Sequence, residues 1–70
     1  MQAQIMSKVE NYLRSKFGNQ DIRLVGAKTD PSMAEVYIGS EFVGTLYRDE
    51  DDGDVSFDFN MSILAEDLDI

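Results

Sequence analysis

Residues Phe42 to Met61 read FVGTLYRDEDDGDVSFDFNM, two alternating runs on either side of an acidic turn. In the second run Val55, Phe57, Phe59 and Met61 alternate with Ser56, Asp58 and Asn60. That period of two is the signature of a strand with one apolar face. Parity across the turn then sets the register. With Asp52-Gly53 as a two-residue loop, Leu46 lies opposite Phe59 and Arg48 opposite Phe57, which gathers Phe42, Leu46, Phe57, Phe59 and Met61 on one face. A three-residue loop would pair Leu46 with Asp58 and mix the faces, so the even loop is expected.

The chain around this hairpin is short. Seventy residues make one domain, 1–70, near the lower size limit for a fold held by an apolar core alone. Cysteine and histidine are both absent, which removes disulfides, zinc sites and imidazole chemistry. The formal net charge of −8 is unevenly spread. Residues 1–28 carry five basic and two acidic side chains, residues 29–70 one basic and twelve acidic. The acidic part would repel nucleic acid and anionic lipid, so neither is an expected partner. No targeting segment or membrane-length apolar run is visible, and a cytoplasmic location is the expectation.

Between Ala3 and Phe17 the apolar residues Ile5, Met6, Val9, Tyr12, Leu13 and Phe17 are spaced by three and four, which predicts a helix. Gly18 suits its C-terminal cap, with Lys16 in the last turn. Ile22–Ala27 reads as a strand weakened by Gly26, and Lys28–Ser32 as a loop turned by Asp30-Pro31. Ala34–Ile38 is the next strand, with Gly39-Ser40 as a type II′ turn signal before Phe42–Arg48. Val55–Met61 completes the set. Ser62–Leu68 reads as a short helical turn capped by Ser62, or as a continuation of the last strand. The fold expected is therefore α+β: an N-terminal helix packed on a three- or four-stranded antiparallel β-meander, with a short C-terminal helical turn.

The Gly39-Ser40 hairpin leaves two registers open. A two-residue loop pairs Val36 with Val43 and Tyr37 with Phe42. Val36, Ile38, Val43 and Tyr47 then lie on the face away from the phenylalanines and form a candidate interaction surface. A three-residue loop, Gly39 to Glu41, instead sends Val36 and Ile38 to the side of Leu46 and one core absorbs nearly everything.

Chemistry-bearing motifs are weak. Placing Gly53 at the sixth position of a calcium loop puts Arg48 first and Phe59 twelfth, where carboxylates are needed, so an EF-hand is rejected. Weak divalent-cation binding by Asp49, Asp51, Asp52 and Asp54 is one alternative function. Mimicry of an acidic polymer toward a basic partner is another. The serines lack an activating histidine, and Gly39, Gly44 and Gly53 are too dispersed to cradle a phosphate. No enzyme activity, catalytic residue, metal or cofactor is expected. The leading expectation is a non-enzymatic protein-interaction module, with a second copy of the chain as one candidate partner.

The α-β-β-β order with a C-terminal helical turn is similar to that of double-stranded RNA-binding domains. Those carry basic residues at the final helix, where this chain has Glu66, Asp67 and Asp69. The blocks YLRSKFGNQDIRLV (Tyr12–Val25), AEVYIGSEFVGTLYRDEDDGDVSF (Ala34–Phe57) and MSILAEDL (Met61–Leu68) resemble a family of small bacterial proteins known as a domain of unknown function. The resemblance covers nearly the whole chain and implies a compact single-domain protein. It implies no activity, cofactor or site residue.

Overall fold

The computed structural model describes every residue from Met1 to Ile70. Its elements are α1 (Ala3–Phe17), β1 (Ile22–Gly26), β2 (Met33–Ile38), β3 (Glu41–Asp51), β4 (Asp54–Asn60) and a 3-10 turn at Ala65–Leu68. The strands form one antiparallel sheet in the order β1-β2-β3-β4, so the meander has four strands.

The helix stops where the chain must turn left-handed. Gly18 has φ 61, and the Asn19 N–H closes on the Arg14 carbonyl at 3.0 Å. Asn19 then folds its side-chain carbonyl onto the Asp21 N–H at 2.8 Å, delivering the chain into β1. Met6, Val9 and Leu13 face the sheet. Tyr12 and Phe17, grouped with them by spacing, are 61% and 59% exposed because the helix lies over one side of the sheet only.

Charged side chains lock the helix to β1. Glu10 accepts the Leu24 N–H at 2.9 Å and pairs with Arg14 at 3.2 Å. Arg14 in turn donates its Nε–H to the Ile22 carbonyl at 2.8 Å. These contacts satisfy the outer edge of β1, a row of backbone groups that would otherwise be open. Arg23, within β1, is engaged as well. Arg23 donates to the Gly39 carbonyl at 3.1 and 3.0 Å and stacks 5.3 Å from the Tyr37 ring centroid.

The β3–β4 hairpin has the parity expected of a two-residue loop. Leu46 lies opposite Phe59, Arg48 opposite Phe57 and Asp51 opposite Asp54. Asp52 and Gly53 both have positive φ, 52 and 85, as a type I′ turn requires.

The β2–β3 hairpin combines the two registers. Its turn is the two-residue Gly39-Ser40 loop, with Ile38 opposite Glu41 and Tyr37 opposite Phe42. The register then slips between Tyr37 and Val36, so that Val36 lies opposite Gly44 and Ala34 opposite Leu46. Val43 is the extra residue of a β-bulge. This bulge sends Phe42 outward, where its ring meets Tyr37 edge-on at 5.7 Å and 75°. The expectation that Phe42 shares the face of Leu46 is thereby corrected. Gly44 is the only residue type that fits here. A Cβ would stand 2.3 Å from the Asn60 carbonyl oxygen and 2.7 Å from the Phe59 ring.

The core is small: Leu13, Ile22, Leu24, Ala34, Val36 and Leu46, flanked by Met6, Val9, Val43, Phe57 and Phe59. The radius of gyration is 13.0 Å, against about 11 Å for a compact chain of this length. The molecule measures 43 × 23 × 23 Å. No helix is long and apolar enough to cross a membrane. After β4 the chain runs without regular structure through Leu64 to its 3-10 turn, which has no side-chain cap. Ser62 lies before that turn and does not cap it.

Two outcomes are expected in urea denaturation. Gly44→Ala, which drives a methyl group into the Asn60 carbonyl and the Phe59 ring, should lower stability by about 1–3 kcal/mol. Glu10→Ala, which strips the β1 edge of its acceptor, should cost about 1–2 kcal/mol.

Candidate functional site

Because α1 lies along β1, the end of the sheet beyond its C-terminus is left open. An apolar cleft of about 210 Å³ forms there. Leu13 and Phe17 supply its helical wall, and Ile22, Val36 and Ile38 its floor. Val43, Phe59 and Met61 close the far side, and Asn19 is the single polar lining residue. The Asn19 side-chain carbonyl is already committed to the Asp21 N–H. The cleft therefore offers contact and desolvation, with no acid, base or nucleophile aimed into it. Its volume lies below the ~300 Å³ at which small-molecule pockets begin, and suits one or two apolar side chains.

Three of the four residues named as an interaction surface meet at this cleft. Val36 and Val43 face the helix, Val36 being only 1% exposed, and Ile38 sits at the rim at 38%. Tyr47 lies on the opposite face, across from Met33. The four therefore do not form one exposed face. The bulge at Val43 is the cause, since one extra residue reverses the facing of every side chain beyond it. Phe17, Phe59 and Met61 were missed as cleft residues. Phe17 was read as ordinary helix stripe and Phe59 as core, and no local pattern shows that the apolar floor of the sheet extends beyond the helix.

The face away from the helix is more polar. Tyr37 donates its hydroxyl to Glu35 at 3.2 Å, beside Arg23 and Phe42. Partial desolvation, followed by the Glu35 charge and hydrogen bond, raises the Tyr37 phenol above its ordinary pKa. A larger, open hollow lies at the start of the helix, between Met1, Gln2, Ile5, Pro31, Ser32 and Arg48. At its lip Asp30 accepts the Ser32 hydroxyl at 2.7 Å and the Ser32 N–H at 2.9 Å. These bonds hold the Asp30 carboxyl below its usual range.

The acidic hairpin does not converge on a point. Asp49, Glu50 and Asp51 belong to β3 and alternate across it, while Asp52 occupies the turn and Asp54 begins β4. No three carboxylates come together in a group that could hold a metal ion. Arg48 pairs with Glu50 at 3.4 Å, an exposed contact that adds little.

A family model described as "Protein of unknown function (DUF3126)" matches residues 6–67, and the chain belongs to that family. Neither a curated protein nor a solved structure matches it.

The Asp30 bonds have a measurable consequence. Its lowered folded-state pKa contributes stability that is present above the unfolded value and is lost as pH falls through the folded one. Ser32→Ala removes the largest cause, the side-chain hydrogen bond. An NMR pH titration of the Asp30 carboxyl should then show its pKa moving up toward 3.8.

Proposed function

We propose that this chain is a small non-enzymatic protein-interaction module whose working surface is the apolar cleft and the adjoining helix-side face of β3 and β4. One observation carries the reading: the apolar floor of the sheet continues past the end of the helix that should cover it. Phe17, Ile38 and Met61 are 59%, 38% and 55% exposed around that continuation. Single exposed apolar residues are ordinary, but a cluster bordering an apolar cleft marks a surface that another molecule covers. The occupant that fits is a pair of apolar side chains presented by another polypeptide. The volume is too small for a typical small-molecule ligand, and the lining carries no group that would orient one.

Photo-crosslinking amino acids at Ile38 and Met61 test this in the native cell. They should give discrete protein adducts, while the same group at Gln4, on the outer side of the helix, should give none. No adduct at either cleft position would overturn the reading.

A further inference from the structure

The sheet has two edges, and the molecule treats them differently. On β1, Glu10 and Arg14 occupy the outward N–H of Leu24 and C=O of Ile22. On β4 no such cover exists. No loop, tail or side chain hydrogen-bonds to its backbone from outside the sheet. The strand runs seven residues, Asp54–Asn60, without proline, lysine or a bulge in its pairing with β3. Such a strand is a template for another.

The hairpin fixes which groups point outward. A two-residue turn is closed by a hydrogen bond between the residues flanking it, here Asp51 and Asp54. Antiparallel pairs then alternate, so the even-numbered residues of β4 bond to β3. Val55, Phe57 and Phe59 are left with N–H and C=O directed at the open edge.

We infer that β4 pairs with β4 of a second copy, antiparallel about a two-fold axis at Phe57, to make a continuous eight-stranded sheet. This rests on the interaction reading above and names its partner. The side-chain pattern selects the register. Centred on Phe57, Val55 meets the second copy's Phe59, the two Phe57 rings meet each other, Ser56 meets Asp58 and Asp54 meets Asn60. Centring on Ser56 would set Asp54 against Asp58, and centring on Asp58 would set two aspartates face to face. Like charges directly opposite are destabilising, which disfavours both, and centring on Phe59 would carry the pairing past the end of the strand onto Met61 and Ser62.

The area agrees. The chain exposes 5312 Å², roughly a fifth more than the ~4,400 Å² expected of a folded monomer of its mass. That excess is on the scale of the ~800 Å² each partner contributes to a standard interface. Association also continues the apolar row of Val55, Phe57 and Phe59 across the axis. Each chain carries a net charge of −8, so the two repel, and added salt should strengthen the pairing.

Sedimentation equilibrium on the purified chain, with amide hydrogen exchange, tests the inference. The expected species has twice the 7.9 kDa chain mass and tightens as salt rises. The Val55, Phe57 and Phe59 amides should exchange slowly, with protection that grows with protein concentration. Two variants test the register. Phe57→Cys, in a chain with no other cysteine, should form a covalent dimer on mild oxidation, and Ser7→Cys should not. Ser56→Lys places an ammonium opposite Asp58 twice per dimer and should tighten association several-fold beyond Ser7→Lys. Should Phe57→Cys fail to fold, the wild-type exchange and the Ser56→Lys comparison still decide. A strict monomer, or a dimer in which these three amides exchange freely, overturns the inference. A monomer that still gives cleft adducts to other proteins leaves the interaction reading standing. A monomer without adducts removes both.

Discussion

A single helix cannot cover a four-stranded sheet, and most of what is distinctive here follows from that mismatch. A helix with its side chains is about 10–12 Å across, whereas strands repeat about every 4.8 Å, so one helix shields little more than two of them. The chain settles α1 against β1, using Glu10 and Arg14 as well as Leu13. The buried cluster accordingly draws on α1, β1, β2 and the middle of β3, and no residue of β4 is fully buried. Phe57 and Phe59 flank that cluster without being enclosed by it. The cleft is the seam where the cover ends.

Gly44 connects this mismatch to the sheet itself. The bulge at Val43 adds a residue to β3, so Val43 and Gly44 together answer Val36. With a side chain at position 44, β3 and the end of β4 could not approach as they do, since the space is held by Asn60 and Phe59. The bulge also lets Ala34, Val36 and Leu46 share one buried face while Tyr37 and Phe42 stack on the other. A regular ladder would have forced a choice between those two sets.

That is also the point at which the sequence stopped being legible. The helix bounds, the Gly18 cap, the even Asp52-Gly53 turn and the antiparallel meander, though not its count of four strands, all rest on local chemistry: a 3.6-residue period, a left-handed glycine, a period of two. Each could be read without knowing the rest of the fold. The β2–β3 hairpin could not, because its two candidate registers are both partly right. The turn obeys one and the strands beyond Val43 obey the other. A bulge leaves only a glycine as its local sign, and Gly44 reads equally as a weak point in a strand. Because the facing of Val36, Val43 and Tyr47 depends on that one insertion, the surface built from them had to be redrawn. The tail was ambiguous for another reason. Its apolar residues Ile63, Leu64, Leu68 and Ile70 stay at least half exposed, so burial does little to select a conformation for them.

Charge and apolar surface divide the hairpin between two tasks. Near the turn, Asp49 through Asp54 keep the tip solvated and too repulsive to pair with a copy of itself. Farther along β4 the acids thin to Asp58, which points away from the helix side, and the helix-side row becomes Val55, Phe57 and Phe59. A chain of this size, with no disulfide to restrict its unfolded state, has little stability to spare. Covering the β4 half of the sheet would therefore add to the folded state whatever binding free energy it releases, through mass action. Folding and association then draw on the same residues. A substitution at Phe57 or Phe59 would alter both, and only measurements at several protein concentrations would separate the two effects.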